Sequence, residues 1–358
     1  MELESKRPVY LNTAGCGLIS QASLQAANNI YNAFTYNSSG RSEDWRDNEA
    51  PAYRDNIARF MGIPQSQLGC VPNFSYAMNA LVQSLHGDEQ VLLYKYDYPS
   101  VTAPFVHNHF PIHWLDTRDG FSIDLNEIES KLVKEKISIL AISHVQWQTG
   151  FKVDLASLSR ICQKQGTILI LDATQSLGAN HVPIVDLGID VVISSNYKWM
   201  NSGFGNGLLY LSESFLKRYP PVIIGAGGAD YPDAARSYEP GGLNIYGFAL
   251  LDQAIREKQA IGLPEIVNQN MRLTQTLLNG LANLKDQIAL LGEYTTEDRA
   301  PIVVLKERTN KNGVLGDYLA QKGIVVTQRG GTLRISFHFY NRPEEVEFLL
   351  DALKEWVL

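Results

Sequence analysis

SSNYKWMNSGFGNG, residues 194–207, follows the apolar run IDVVIS and leads into GLLYLS. Short, continuous apolar runs of this kind are typical of strands covered on both faces. Lys198 therefore sits just past the end of a buried strand. A lysine in that position ordinarily snorkels to water, so its meaning depends on what the rest of the chain brings to the same place.

Working outward, QVLLYKY, ISILAIS and TILILDA add three further strand candidates, and the helical patterns LNEIESKLVKEK (125–136) and LASLSRICQKQ (155–165) alternate with them. Strand–helix alternation predicts an α/β fold, with a mostly parallel sheet carrying helices on both sides. Ligands in such sheets bind beyond the carboxyl ends of the strands. After residue 213 the texture changes. GAGGADYPDAARSYEPGG (225–242) reads as loop, and long helical patterns follow at about 246–262 and 264–284. The short strands QIALL, APIVVLK and TLRISFHF and the closing helix PEEVEFLLDALKEWV then predict a smaller α+β domain. The expected division is an N-terminal arm (1–20) on the substrate side of the smaller domain, a large domain (21–245) and the smaller domain (246–358).

Composition narrows the class. The 358 residues are 45% hydrophobic and 19% charged, with a net charge of −7. An acidic balance argues against a nucleic-acid partner. No apolar run approaches the ~20 residues of a membrane span, and MELESKRPVY has no signal-peptide core. Three scattered cysteines, Cys16, Cys70 and Cys162, suit a reducing cytoplasm, form no CxxC pair and suggest no metal site.

Asp172 ends the strand of LILDATQSLGA (169–179). Such an aspartate is about as often a helix N-cap as a functional acid. Lys198 changes the balance, because in a parallel sheet both strand ends open on one crevice. An amine converging with a carboxylate matches pyridoxal phosphate: the lysine holds its aldehyde as a Schiff base, and the acid keeps the pyridine nitrogen protonated. Ser194, Ser195 and Tyr197 supply hydroxyls for the phosphate, and NFSYAMNALVQSL (73–85) supplies a helix N-terminus with Ser75 in its first turn.

With these motifs the chain resembles the class V aminotransferases among the fold-type I pyridoxal-phosphate enzymes. That family includes cysteine desulfurases, selenocysteine lyases, cysteine and cystine C–S lyases, kynureninases and isopenicillin N epimerase-like proteins. YLNTAGCGLIS, DATQSLGA, SSNYKW, GFGNGLLYL, YEPGGLN and LRISFHFYNRPEEVEFLLDAL fall in the family's order, nearly end to end. The resemblance implies the pyridoxal-phosphate transferase fold, with a mostly parallel seven-stranded-type sheet, and an amino-acid substrate.

It also implies a site. Lys198 would hold the cofactor and carry the Cα proton, Asp172 would face the pyridine nitrogen, and Gln175 would approach the ring hydroxyl. Ser75, Ser195 and Tyr197 would hold the phosphate, with a backbone N–H from Phe74. Tyr98, in YDYPSVTAPF, stands where the family usually has a ring-stacking histidine. Gly242 and Asn244 would reach the phosphate end of a partner subunit's site in a homodimer with shared active sites. Arg334, interrupting an apolar strand, would fork the substrate carboxylate, aided by backbone N–H groups of Ala14 and Gly15. Trp147 and Gln148 resemble the aromatic–polar pair of C–S lyases and kynureninases.

One departure is chemical. VVTQRGGTLRIS (325–336), where desulfurases carry a nucleophilic cysteine, has none. The expected reaction is β-elimination from cysteine, cystine or an S-conjugate; transamination or epimerisation of a small amino acid is the alternative. A non-catalytic member of the fold is the rival from another class, and intact Lys198, Asp172 and Arg334 speak against it.

Overall fold

The computed structural model describes residues 7–117, 119–225, 230–231, 234–239, 241–308 and 314–358. Part of the loop expected at 225–242 lies outside these residues. Within it, Ala235–Tyr238 forms a short 3-10 turn.

Among the described residues the strands fall into three sheets. β1 (Val9–Tyr10), in the N-terminal arm, pairs in parallel with β11 (Ile324–Val325). The central sheet has seven strands: β2 (Leu68–Val71), β3 (Val91–Tyr94), β4 (Ile112–Leu115), β5 (Ile139–Ser143), β6 (Ile168–Asp172), β7 (Val191–Ser195) and β8 (Gly207–Leu211). Their order is β2-β8-β7-β6-β5-β3-β4. Neighbours are parallel except at β8, which runs antiparallel to both β2 and β7. A parallel return needs a crossover of a dozen or more residues. The short link from Ser195 to Gly207 cannot supply one, so the chain turns straight back.

Burial along these strands alternates between two cores. Leu92, Tyr94, Leu140 and Ile142 face one, while Val91, Leu93, Ile139 and Ala141 face the other. That period-2 division, with both faces dry, is why the sequence shows continuous apolar runs. Helices cover each face and begin on side-chain caps. Asn73 accepts from the Tyr76 N–H, and Asp154 accepts from the N–H groups of Ala156 and Ser157.

The antiparallel sheet β12-β13-β10-β9 uses β9 (Ile288–Leu291), β10 (Ile302–Glu307), β12 (Thr327–Arg329) and β13 (Thr332–Ser336). A third core forms over it from Leu273 and Leu277 of helix Leu263–Leu281, Leu333 and Ile335 of β13, and Leu349 of helix Pro343–Val357. Leu11 of the arm joins this core. Helix Ile245–Ile261, expected in the smaller domain, buries Phe248, Leu251 and Ile255 in the first core instead. No helix among the described residues is long and apolar enough to cross a membrane.

Candidate active site

β5, β6 and β7 run in parallel, so Ser143, Asp172 and Ser195 finish at one edge of the sheet. Asp172 ends β6 opposite Ser143, and Lys198 lies three residues beyond the end of β7. Both side chains are buried. They line a cavity of about 370 Å³ together with Asn73, Ser75, Tyr98, Ser195 and Tyr197. The sequence-predicted cofactor residues of this chain, apart from Gly242 and Asn244, are thus gathered in one place.

Electrostatics sharpen the pair. Burial pushes the Lys198 amine down, the Asp172 carboxylate pulls it back up, and Arg334 and Arg329 push it down further. Burial pushes the Asp172 carboxyl up, opposed by hydrogen bonds from Thr174. A second buried carboxylate, Asp97, raises it again. Desolvation, which disfavours both charged forms, is the leading cause for each.

Asp97 was not singled out in the sequence. It accepts from the Ser143 N–H at 2.8 Å, the Ser143 hydroxyl at 2.5 Å and the Tyr98 N–H at 2.7 Å. It thereby fixes Tyr98, the N-cap residue of helix Pro99–His107, at the cavity wall. The Tyr98 ring meets Trp147 edge-on at 5.5 Å, and the Lys198 Nζ lies 5.5 Å from its centroid. Tyr197 is stacked on Phe204 at 4.6 Å, and Phe204 is 70% exposed.

Several predicted contacts are already taken. The Phe74 N–H donates to Ser195 Oγ at 2.9 Å, so it does not stand open for a phosphate. The Ala14 N–H donates to Ser336 Oγ and the Gly15 N–H to the Asn12 carbonyl, so neither backbone donor waits for a substrate carboxylate as expected. The arm serves the turn instead. Gln175 Nε2 donates to the Ala14 carbonyl at 3.0 Å, while Gln175 Oε1 accepts from Trp199 Nε1 at 2.7 Å. Gly17 lies so close to the turn that a Cβ there would sit 1.9 Å from the Lys198 carbonyl oxygen. The Ser75 hydroxyl donates to Ser100 at the exposed rim. Gly242 is exposed and lines a separate groove with Trp45, Arg54 and Glu239. Asn244 caps helix Ile245–Ile261 and donates to the Gly205 carbonyl.

Arg334 lies on the far side of Trp147, in a neighbouring cavity of about 280 Å³ that Trp147 and Gln148 also line. Alternation along β13 explains its direction. Leu333 and Ile335 point into the third core, leaving Arg334 on the opposite face. Its register partner is Thr327, and Arg329 pairs with Thr332, so the two arginines are diagonal neighbours on that face. Arg334 Nη1 donates to the Trp147 carbonyl at 2.6 Å, while its Nε is buried without a partner. Burial, then Arg329, pushes this guanidinium down to about 10. Arg329 lies over the Trp147 ring at 4.9 Å. Arg329 was also missed, because the hairpin register that sets it beside Arg334 leaves no local signal in the sequence.

Cys16 is half-buried on the arm, its thiol directed at the Tyr197 carbonyl at 3.5 Å. Burial pushes the thiol up. Gly330 and Gly331, both at positive φ, close the β12–β13 hairpin in two residues.

The donor set fits pyridoxal phosphate. A buried amine with weakened proton affinity, a buried carboxylate on the adjoining strand, an aromatic wall and a helix N-terminus beside Ser195 meet its aldehyde, pyridine nitrogen, ring and phosphate in kind.

The family model "Aminotransferase class-V" matches residues 9–349. A probable cysteine desulfurase of Methanothermobacter thermautotrophicus is 26% identical over 340 residues, covering 84% of this chain and 82% of that protein. An uncharacterized aminotransferase of Bacillus subtilis, YcbU, is 21% identical, covering 92% and 89%. Among solved structures, an apo cysteine desulfurase of Thermococcus onnurineus superposes with a TM-score of 0.86 at 23% identity, covering 98% of this chain and 94% of that one. The cystine C–S lyase C-DES, solved with its product cysteine persulfide, superposes with a TM-score of 0.87 at 18% identity, covering 97% of each chain.

Proposed function

The chain belongs to the class V aminotransferase family, and on that premise we propose that it is a pyridoxal-phosphate-dependent C–S lyase acting on cysteine, cystine or an S-conjugate of cysteine. The observation that carries the choice is the β12–β13 hairpin. Its two-glycine turn leaves no loop on which a sulfur-accepting cysteine could reach the cavity, and Cys16 is directed at a backbone carbonyl. A chain built this way would release sulfur on the leaving fragment rather than keep it on the protein.

Bound pyridoxal phosphate supplies the electron sink that accepts the pair left at Cα. The protein's residues do the rest. Arg334 grips the α-carboxylate with Nε and the part of its fork not bonded to Trp147. Lys198 takes the Cα proton, its amine being deprotonated more readily than a free lysine. Asp172 would face the pyridine nitrogen, with nearby Asp97 raising its proton affinity. Tyr98 and Trp147, which line the cavity together, would exclude water and bound the cofactor ring. Expulsion of the β-sulfur and hydrolysis of the remaining fragment give pyruvate, ammonia and a thiol, or a persulfide when the substrate is a disulfide. The same reading includes a cytoplasmic homodimer in which Gly242 and Asn244 approach the partner subunit's phosphate. It also divides the chain into arm, cofactor unit and smaller unit. The packing of helix Ile245–Ile261 in the first core supports a boundary at Gly262 rather than 245.

The test is to offer cysteine, cystine and S-alkyl cysteines and to measure pyruvate against amino-group transfer to a 2-oxo acid. Stoichiometric pyruvate with sulfide, thiol or persulfide supports the lyase. Transfer without pyruvate would replace it with the aminotransferase reading, and racemised substrate with the epimerase.

A further inference from the structure

Helix Ile245–Ile261 buries an amine that the chemistry above does not use. Lys258 is 1% exposed, and among the described residues no carboxylate stands within ion-pair distance of it. Glu257, its neighbour on the helix, accepts from the Ser20 hydroxyl at 2.6 Å. Lys258 Nζ donates instead to Asn201 Oδ1 at 2.5 Å and to the Met200 carbonyl at 3.5 Å, and it lies 4.9 Å from the centre of the Phe339 ring. Burial pushes the amine down to about 7. Packing alone does not explain such a residue, because an apolar side chain of similar length fills the space without desolvating an amine.

His338 meets the same oxygen. Its Nε2 lies 2.9 Å from Asn201 Oδ1 and 3.0 Å from the Trp199 carbonyl. Its Nδ1 accepts from Asn270 Nδ2 at 3.4 Å, which places the ring proton on Nε2, the atom aimed at both oxygens. Burial keeps the ring neutral. Asn201 holds a left-handed conformation, with φ of 59°. Its N–H closes on the Lys198 carbonyl at 3.1 Å, and its Nδ2 donates to the Leu18 carbonyl. Three successive carbonyls are therefore held, Lys198 by Asn201, Trp199 by His338 and Met200 by Lys258. His338 lies two residues beyond β13, the strand that carries Arg334.

We propose that Lys258 and His338, acting through Asn201, are positioning residues that hold the turn bearing Lys198 where its amine meets the cofactor aldehyde. The proposal rests on Lys198 being the cofactor lysine. It adds that the segment just after β13, the strand presenting the carboxylate fork, also grips that turn through His338.

The experiment uses the full-length apoprotein and pyridoxal phosphate. Capture joins the Lys198 nitrogen to the aldehyde carbon with loss of one water. It is followed by absorbance and confirmed by borohydride reduction and peptide mapping. Lys258→Met is expected to slow capture by about ten-fold or more, the scale on which misplacement of a reacting group acts. It should lower kcat with KM unchanged, while Tm stays level or rises because a buried amine without a carboxylate partner has gone. His338→Gln, which keeps a side-chain N–H, should retain more capture than His338→Leu. Wild-type capture and kcat in Lys258→Met would overturn the proposal. So would equal behaviour of the two His338 variants, which decides the matter if Lys258→Met does not fold. A parallel loss of Tm and capture in Lys258→Met and His338→Gln alike would assign the cluster to scaffold packing and also overturn it. A wild-type protein with no adduct on Lys198 overturns the cofactor reading itself, and this inference with it.

Discussion

The turn 196–201 and the hairpin 327–336 each present a cation to one of two adjoining cavities that share Trp147 as a wall, and they treat the groups around that cation differently. In the turn, the carbonyls of Lys198, Trp199 and Met200 all have protein donors, and the arm seals the outer side through Gly17 and Ala14. In the hairpin and its neighbour, Arg334 Nε and Trp147 Nε1 are buried without acceptors, and Arg329 and Arg334 repel one another. A buried donor left bare costs free energy, which supports the proposed use of the hairpin side to bind an anion. On the proposed reading, the difference would separate a permanent ligand from a transient one, with the turn preorganised by the protein and the hairpin side completed by what it binds.

Removing the amine should break this contrast most completely. Lys198→Ala should lower turnover of any amino-acid substrate by about 10⁴-fold, the upper range for loss of a positioned acid–base group. Borohydride should then leave no pyridoxyl adduct at the turn, as read by mass spectrometry. Tm should hold or rise, since a desolvated amine has gone; a fall in Tm would mean the amine also holds the fold together.

On the hairpin side, Arg334→Lys keeps the charge and loses the fork. Charged hydrogen bonds contribute about 1.5–3 kcal/mol each, so kcat/KM should fall by about 10- to 150-fold. Absorbance of the bound cofactor should not change. If kcat/KM is unaltered in steady-state assays, Arg334 does not hold the carboxylate, and the contrast collapses.

Gly17→Ala tests the seal. The added Cβ has no room beside the Lys198 carbonyl oxygen, and overpacking of this kind costs about 1–3 kcal/mol. Urea denaturation should show that loss, together with slower cofactor capture at Lys198. Full stability and capture would show that the arm is looser than its contacts indicate.

The smallest effect belongs to Arg329→Gln. A partly exposed cation over a ring contributes about 0.5–1 kcal/mol, so stability should change little. The pH profile should still move. Arg329 disfavours the charged form of Lys198, so its removal raises the proton affinity of that amine. The rise in capture rate with pH should therefore shift to higher pH, though it should remain below the range of a free lysine because burial persists. A shift to lower pH would reverse the sign assigned to Arg329.

The parts legible in the sequence were those whose cause is local. VLLY, ILAIS, ILILD, VVISS and GLLYL are buried at nearly every position, so their apolar runs stand out unaided. Asp172 and Lys198 were found because each ends or follows such a run. β4 did not stand out. Its IHWL is half-exposed, with Trp114 at 42%, and an edge strand wet on one side has no continuous run. Asp97 and Lys258 were hidden because their partners, Ser143 and Asn201, lie 46 and 57 residues away. Lys258 did leave a trace, since it falls on the buried face of its helix with Leu251, Ala254 and Ile255, where a charged side chain is out of place. The arm was misread for a related reason. Small residues do allow close approach, but the backbone donors of Ala14 and Gly15 are spent inside the protein.

The pairing of the arm with the end of the chain also orders events during synthesis. β1 needs β11, Asn12 bridges to Ser336, and Ala14 donates to the Ser336 hydroxyl. Multi-unit chains generally assemble unit by unit as they leave the ribosome, so the central sheet can form around Lys198 while the arm still lacks its strand partner. Leu11, wholly buried in the finished protein, must meanwhile wait uncovered for a core built from residues 273–353. A nascent chain would thus hold Lys198 at the end of its sheet long before the hairpin carrying Arg334 and the closing helix Pro343–Val357 are released.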